Sequence, residues 1–134
     1  MHHAQRDVED FHRALDLPIG RSPMIRRAEL RAVLIEEETR ETVDAIRRGD
    51  LVGAIDGLCD VLYVAYGAAV EFGVDLAPFW DEVHGTNMAK QGGPVREDGK
   101  RLKPPNWAPP NIAGLLARCS ERFDRGEASG GGPR

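Results

Sequence analysis

The sequence has few cysteines and no excess of positive charge, and each shortage excludes a class of protein. Two cysteines occur among 134 residues, Cys59 in an apolar run and Cys119 near the end. Their spacing fits neither a zinc site nor a disulfide framework, so we expect both thiols to be reduced. The formal net charge is −4. A protein that coats nucleic acid would carry a basic surface, so we expect no nucleic-acid polymer as a partner.

The sequence also offers little that would direct it to a membrane. Its first ten residues, "MHHAQRDVED", are polar and contain no apolar signal-peptide region. We find no run that approaches the roughly 20 apolar residues of a membrane span. A cytoplasmic protein without a membrane partner is therefore expected, and its length suits one domain with a single core.

No alternating strand pattern and no internal repeat occur, whereas helical spacing with capping residues is frequent. We predict an all-α chain, a bundle of four to five helices in one domain over residues 1–123. Gly and Ser enrichment predicts a flexible tail over residues 124–134. The first predicted helix covers residues 5–16. The second runs from Pro23, with Ser22 as its N-cap, to Arg48, and the third runs from the Asp50 cap to Gly73. The fourth runs from the Asp75 cap to about Lys90, and the fifth covers about residues 112–123.

The second helix contains "LIEEETRETVDAI", residues 34–46, with four glutamates inside six positions. At about 100° per residue, Glu37 and Glu41 fall within roughly 20° of the apolar stripe that Leu30 and Leu34 define. Glu38 lies at one edge of this stripe. We therefore expect these three carboxylates to face the core, whereas the remaining one, Glu36, points toward solvent. Buried carboxylates without partners are costly, so they need a function.

The third predicted helix is apolar almost all round but contains Asp56 and Asp60, one turn apart. Gly53, Gly57 and Gly67 follow the same row and would let another helix or a ligand approach closely. One buried aspartate would more often bond a neighbouring helix end. Two of them opposite three inward glutamates favour a binding site instead.

Five clustered carboxylates repel one another unless a cation lies among them. Oxygen ligands suit a hard ion, so we predict Mg²⁺, with Mn²⁺ as a possible substitute. A di-iron bundle would normally supply Glu-x-x-His ligands. Three residues after Glu38 the chain has Glu41, and no histidine lies one turn from these carboxylates. Iron is therefore the weaker hypothesis.

Two acidic motifs now carry a family resemblance. "EEETRE" followed by "DGLCDVLYVAYGAAVEFGVD" resembles the MazG-like all-α nucleoside triphosphate pyrophosphohydrolases, a group that includes dimeric dUTPases and phosphoribosyl-ATP pyrophosphatases. The family pattern is Glu-Glu-x-x-Glu on one helix and Glu-x-x-Asp on the next. The first motif matches at Glu37, Glu38 and Glu41, and the second ends at Asp60. Gly57 stands where the family has Glu, and Asp56 is the candidate replacement.

The resemblance extends over roughly residues 8–112. "VHGTNMAK" and "DGKRLKPPNW" resemble downstream segments of MazG-like proteins with dUTPase-type activity. The family implies Mg²⁺-dependent hydrolysis of a nucleoside triphosphate between the α and β phosphorus, to a monophosphate and pyrophosphate. A deoxyuridine-type or noncanonical nucleotide is the expected substrate, in keeping with nucleotide-pool cleaning.

Roles for the acidic residues follow from this chemistry. A carboxylate that is not a ligand would accept the proton of the attacking water, and Glu37 is the first candidate with Glu38 second. The predicted metal ligands are Glu37, Glu38, Glu41, Asp56 and Asp60.

Groups that bind the anionic substrate are expected further along the chain. Val83, Asn87 and Lys90 form one row of the fourth helix, which places an amide and an ammonium together. Lys100, Arg101 and Lys103 lie near Trp107 in a loop that would bind phosphates. A solvated helix end and a soluble basic loop explain the same residues equally well.

Aromatic side chains are candidates for stacking on the base. They are Phe11, Tyr63, Tyr66 and Trp80, with Tyr63 chosen as a binding residue, although aromatics at helical spacing belong to a core more often. The nearly all-apolar third helix predicts at least a homodimer. The alternative function is a non-catalytic helical dimer, stabilised by a metal, that acts as a binding or regulatory module.

Overall fold

The computed structural model describes residues 1–124, and these residues form five helices and no strand. An isolated antiparallel bridge joins Val95 and Arg101. The all-α prediction is confirmed. The helices are α1 (His3–Ala14), α2 (Ala28–Arg48), α3 (Leu51–Phe72), α4 (Ala77–Met88) and α5 (Ile112–Asp124). The predicted tail over 124–134 lies, after its first residue, outside the described residues.

The chain divides into two compact units, Met1–Leu76 and Ala77–Arg134. The first contains α1, α2 and α3, with both α1 and α2 packed on α3. The second contains α4 and α5, which contact each other. All five predicted acidic ligands belong to the first unit, and the predicted lysines belong to the second. The single domain over residues 1–123 stays a prediction.

The start of α2 differs from the prediction. Ser22 is not an N-cap, because α2 begins only at Ala28. The preceding segment uses its backbone to complete the end of α3. The N–H of Gly20 donates to the carbonyl of Val70 at 2.9 Å, and the N–H of Met24 donates to Phe72 at 3.0 Å. These long-range bonds hold the segment in a non-helical path.

The ends of the central helix pair agree with the sequence. Asp50 caps α3 by accepting a hydrogen bond from the N–H of Gly53 at 2.9 Å. Gly49 and Gly73 end α2 and α3, each with a φ of 71°. These short-range signals were sufficient because each involves residues within one turn.

A close backbone approach fixes where α2 crosses α3. Gly57 is buried there, and a Cβ added to it would lie 2.4 Å from Thr42 Oγ1 and 3.1 Å from Thr42 Cα. The Thr42 hydroxyl donates to the carbonyl of Glu38 at 2.6 Å. A larger residue at position 57 would therefore push the two helices apart.

The burial of α3 is uneven, contrary to the prediction that neighbours cover it almost all round. Its C-terminal half is buried, but Leu51, Val52, Ile55, Leu58 and Leu62 are exposed in the single chain. The reason is that α1 and α2 cover only part of its surface. These five side chains form an apolar face that stays exposed among the residues that the structure describes.

The expectation that no run approaches a membrane span is also corrected. By length and composition α3 is long and apolar enough to cross a membrane. The central helix of a folded core can have the same length and composition, so these two properties do not assign α3 to a membrane. The helix carries three carboxylates, Asp56, Asp60 and Glu71.

Candidate functional site

Five carboxylates on α2 and α3 act on one another. The pKa of Glu38 is raised above its ordinary value of 4.5, first by partial burial and then by the negative charges of Asp60, Glu41, Glu37 and Asp56, in that order. The structure thus brings all five predicted acidic residues within electrostatic reach. We call these five residues the carboxylate cluster.

The carboxylate cluster is more open than the sequence predicted. Glu38 is half-buried, but Glu37 and Glu41 are exposed in the single chain, so the prediction that both face the core is wrong. Arg31 and Thr42, not Leu30 and Leu34, mark the buried face of α2. Glu41 and Glu37 point about 80° and 120° away from the direction of Arg31.

The two aspartates of α3 are also exposed in the single chain. Asp60 acts on Glu38 more strongly than any other carboxylate, and Asp56 acts most weakly. The prediction that both are buried is wrong because the half of α3 that carries them is only partly covered by α1 and α2. Glu38 and Asp60 therefore form the centre of the carboxylate cluster.

The donor set suits a hard cation that arrives with other ligands. Within residues 1–124, no three Asp, Glu, His or Cys side chains converge closely enough to hold a metal by themselves. Magnesium in nucleotide sites commonly takes only one or two carboxylates and completes its shell with phosphate oxygens and water. Two carboxylates at the centre, Glu38 and Asp60, with further carboxylates around them, fit that arrangement.

A cavity of about 360 Å³ opens beside the carboxylate cluster. Glu38 and Asp60 line one part of it, and Phe11 and Tyr63 line another. The two aromatic rings meet edge to face, with centroids 5.5 Å apart. Of the predicted stacking residues, Phe11 and Tyr63 therefore lie at the cavity, Tyr66 does not line it, and Trp80 belongs to the second unit.

An ion-pair network around the buried Glu71, which the sequence analysis missed, adds charged groups to the cavity wall. Glu71 is fully buried and accepts hydrogen bonds from the Nε atoms of Arg27 and Arg31. Burial by itself raises the pKa of Glu71, but the bonds and charges of the two arginines outweigh it, so this pKa lies below 4.5. Arg27 and Arg31 both line the cavity.

His12 completes this network and has 2% of its surface exposed. Its Nδ1 lies 2.8 Å from the carbonyl of Pro18, and its Nε2 lies 3.5 Å from a terminal nitrogen of Arg31. A carbonyl only accepts and a guanidinium only donates, so Nδ1 carries the proton and Nε2 accepts. We call His12, Arg27, Arg31 and Glu71 the arginine network.

In the second unit, two predicted substrate-binding residues contact each other. Lys90 Nζ donates to Asn87 Oδ1 at 2.6 Å, but Lys90 lies in a turn after the end of α4 at Met88 and not in the predicted helical row. The ammonium groups of Lys90 and Lys103 lie 5.6 and 4.3 Å from the centroid of Trp107. Lys100 is exposed. This unit therefore holds two ammonium groups close to one aromatic ring.

Comparison with known proteins identifies the class to which this helical, acid-lined fold belongs. The family model described as phosphoribosyl-ATP pyrophosphohydrolase matches residues 8–87, more than half of the chain. The chain belongs to this family, which is part of the MazG-like all-α nucleoside triphosphate pyrophosphohydrolase superfamily. The family's description names a pyrophosphohydrolase.

The chain is also similar to an uncharacterized protein of Acanthamoeba polyphaga mimivirus. The two are 44% identical over 48 residues, which is 36% of this chain and 19% of the viral protein. The matched segment thus spans about a fifth of that relative's length. No substrate or partner is carried over from it.

Proposed function

We propose that the chain is a Mg²⁺-dependent nucleoside triphosphate pyrophosphohydrolase that cleaves between the α and β phosphorus, with dUTP or a similar noncanonical nucleotide as substrate. One observation carries this proposal. Glu38 is half-buried, faces four other carboxylates, and lines a cavity together with Asp60 and Tyr63. Such repulsion is relieved by a divalent cation.

Glu38 and Asp60 would hold the cation, with Glu41, Glu37 and Asp56 adding negative charge around it. Magnesium, or manganese in its place, would supply neutralisation of the phosphate charges and polarisation of the α phosphorus. The exposure of Asp56 and its weak effect on Glu38 make it the least important of the five.

The reaction needs a proton acceptor next to the attacking water. The water oxygen bonds to the α phosphorus, the bond from that phosphorus to the bridging oxygen breaks, and pyrophosphate leaves. Glu37 is the first candidate for the base because its exposed carboxylate is free to accept the proton, and Glu38 is the second.

The remaining substrate contacts are assigned by chemistry. Tyr63, edge to face with Phe11, would pack against the base. Asn87, Lys90, Lys100 and Lys103 would bind the sugar and phosphates. A second copy of the chain would cover the exposed apolar half of α3, which makes a homodimer or larger homo-oligomer the proposed form.

The substrate assignment is tested by pyrophosphate release from dUTP, dCTP, dTTP, dATP and dGTP with Mg²⁺ or Mn²⁺. We expect dUTP to be among the best substrates. A preference for dATP or dGTP would exclude the pyrimidine assignment but leave the hydrolase intact. Release from none of a broad nucleotide panel would instead favour the non-catalytic metal-stabilised dimer.

The central carboxylate is tested by Glu38→Gln, which keeps the shape of the side chain but removes its charge. Turnover should fall by about 10²-fold or more if Glu38 is a ligand or base. Folding should survive because the substitution relieves repulsion. Glu36→Gln, an exposed neighbour on the same helix, is the matched control and should retain activity. Equal turnover of both variants would remove Glu38 from the site.

A further inference from the structure

The cavity of the first unit has two ends of different chemistry. Glu38 and Asp60 lie at one end, whereas Arg31 lines the wall two turns earlier on α2. Seven residues of helix separate Glu38 from Arg31, or about 10.5 Å along the axis. This spacing is close to the length of a nucleoside from its phosphate to the far edge of its base. A nucleotide with its phosphates at Glu38 would therefore direct its base toward Arg31.

Arg31 is held rigidly at its end of the cavity. It is 7% exposed, its Nε donates to Glu71, and a terminal nitrogen faces His12. A Cβ at Gly67 would lie 2.9 Å from the other terminal nitrogen of Arg31. The missing side chain of Gly67 therefore makes room for this guanidinium against α3, and both residues line the cavity.

The cavity wall around Arg31 presents hydrogen-bond donors. Arginine has no acceptor atom, the Glu71 carboxylate already accepts from two arginines, and His12 Nε2 faces Arg31. A buried ion pair contributes little net stability, so stability alone does not explain the network. A ligand atom that meets this wall must accept hydrogen bonds.

We propose that Arg31 is a specificity-determining residue that donates a hydrogen bond to the base atom farthest from the sugar, the O4 oxygen of uracil. Cytosine carries an amino group there, which is a donor and would face another donor. The arginine network would thus select a carbonyl over an amino group at this position. The inference rests on the proposed function, since it assumes that a nucleotide enters the cavity phosphate-first toward Glu38.

The test replaces both members of the buried pair, Arg31→Met together with Glu71→Gln. This double variant removes the donor and keeps the net charge of the network, so no buried carboxylate loses its partner. The kcat/KM ratio for dUTP over dCTP should favour dUTP in the wild type. In the double variant it should fall by about 10- to 10²-fold, the worth of a hydrogen bond to a charged group. Arg47→Met, exposed on the same helix, is the control and should keep the ratio.

A second measurement separates this inference from the proposed reaction. Calorimetric binding of dUMP and dCMP needs no turnover, so tighter binding of dUMP that disappears in the double variant supports the inference even if no triphosphate is hydrolysed. A folded double variant that keeps the wild-type preference overturns it, as does a wild type that binds both equally. If the double variant does not fold, Arg31→Lys keeps a cation for Glu71 but loses the planar fork, and the same fall is expected.

Discussion

The arginine network and the carboxylate cluster both include residues of α2 and α3 and border the same cavity, but their charges are compensated differently. In the arginine network, Glu71 is fully buried and has two arginine partners. In the carboxylate cluster, Glu38 is half-buried, and every charged group that shifts its pKa is another carboxylate. Accordingly the pKa of Glu71 is lowered and that of Glu38 is raised.

The difference separates a carboxylate whose charge the chain itself compensates from one whose charge it does not compensate. Glu71 is compensated by the chain itself, so its charge belongs to the folded structure. Glu38 has no cation among the groups that shift its pKa, which is why we propose that a bound cation compensates it. Three experiments sharpen or break this contrast.

The largest effect is expected from Glu71→Ala, which leaves two guanidinium groups without their buried partner. We expect the free energy of unfolding to fall by about 3 kcal/mol, measured by urea denaturation. Glu36→Ala removes an exposed carboxylate and should change it by less than about 0.5 kcal/mol. If both substitutions cost the same, the arginine network does not hold the fold.

A smaller effect should come from divalent cation. On the proposal that Mg²⁺ binds the folded carboxylate cluster, it should raise the melting temperature by several degrees relative to chelator. Either Glu41→Gln or Asp60→Asn should weaken that shift. Melting curves that coincide in Mg²⁺ and chelator would argue against a cation at the carboxylate cluster.

The smallest effect is the response to acid, and its sign should differ between the two regions. The raised pKa of Glu38 means that the folded state takes up its proton first, so in chelator its contribution to stability rises as the pH falls from 7 toward 4.5. The lowered pKa of Glu71 means that its contribution is present above 4.5 and is lost as the pH falls further.

Urea midpoints measured across this pH range check both signs. Glu38→Gln should abolish the gain on mild acidification, and Glu71→Gln should reduce the loss in stronger acid. A midpoint that falls steadily from pH 7 downward in wild type and in Glu38→Gln alike would contradict the assignment to Glu38.

Short-range signals predicted the helices well. Asp50, Gly49 and Gly73 set helix ends through contacts within one turn. The start of α2 was wrong for the opposite reason. Ser22 and Pro23 form a valid local start signal. However, the neighbouring backbone N–H groups donate hydrogen bonds to the carbonyls of Val70 and Phe72, more than forty residues later.

The sequence predicted which residues belong to the candidate site, but not which way their side chains point. The acidic motifs located the carboxylate cluster, but Leu30 and Leu34 indicated a buried stripe that the structure places through Arg31 and Thr42. Glu71 gave one usable signal, a single acid in an apolar helix end. Its partners could not be inferred because neither arginine is near it in sequence.

The contact between Gly57 and Thr42 has a consequence for how the acidic motif could change by mutation. A glutamate at position 57, where the pattern that the acidic motifs resemble has one, would place its Cβ 2.4 Å from Thr42 Oγ1, so the single substitution should be harmful. Thr42→Ala made first would remove that hydroxyl and ease the same step. The two substitutions should therefore be non-additive, and a glutamate at position 57 should cost less stability after Thr42→Ala than in the wild type.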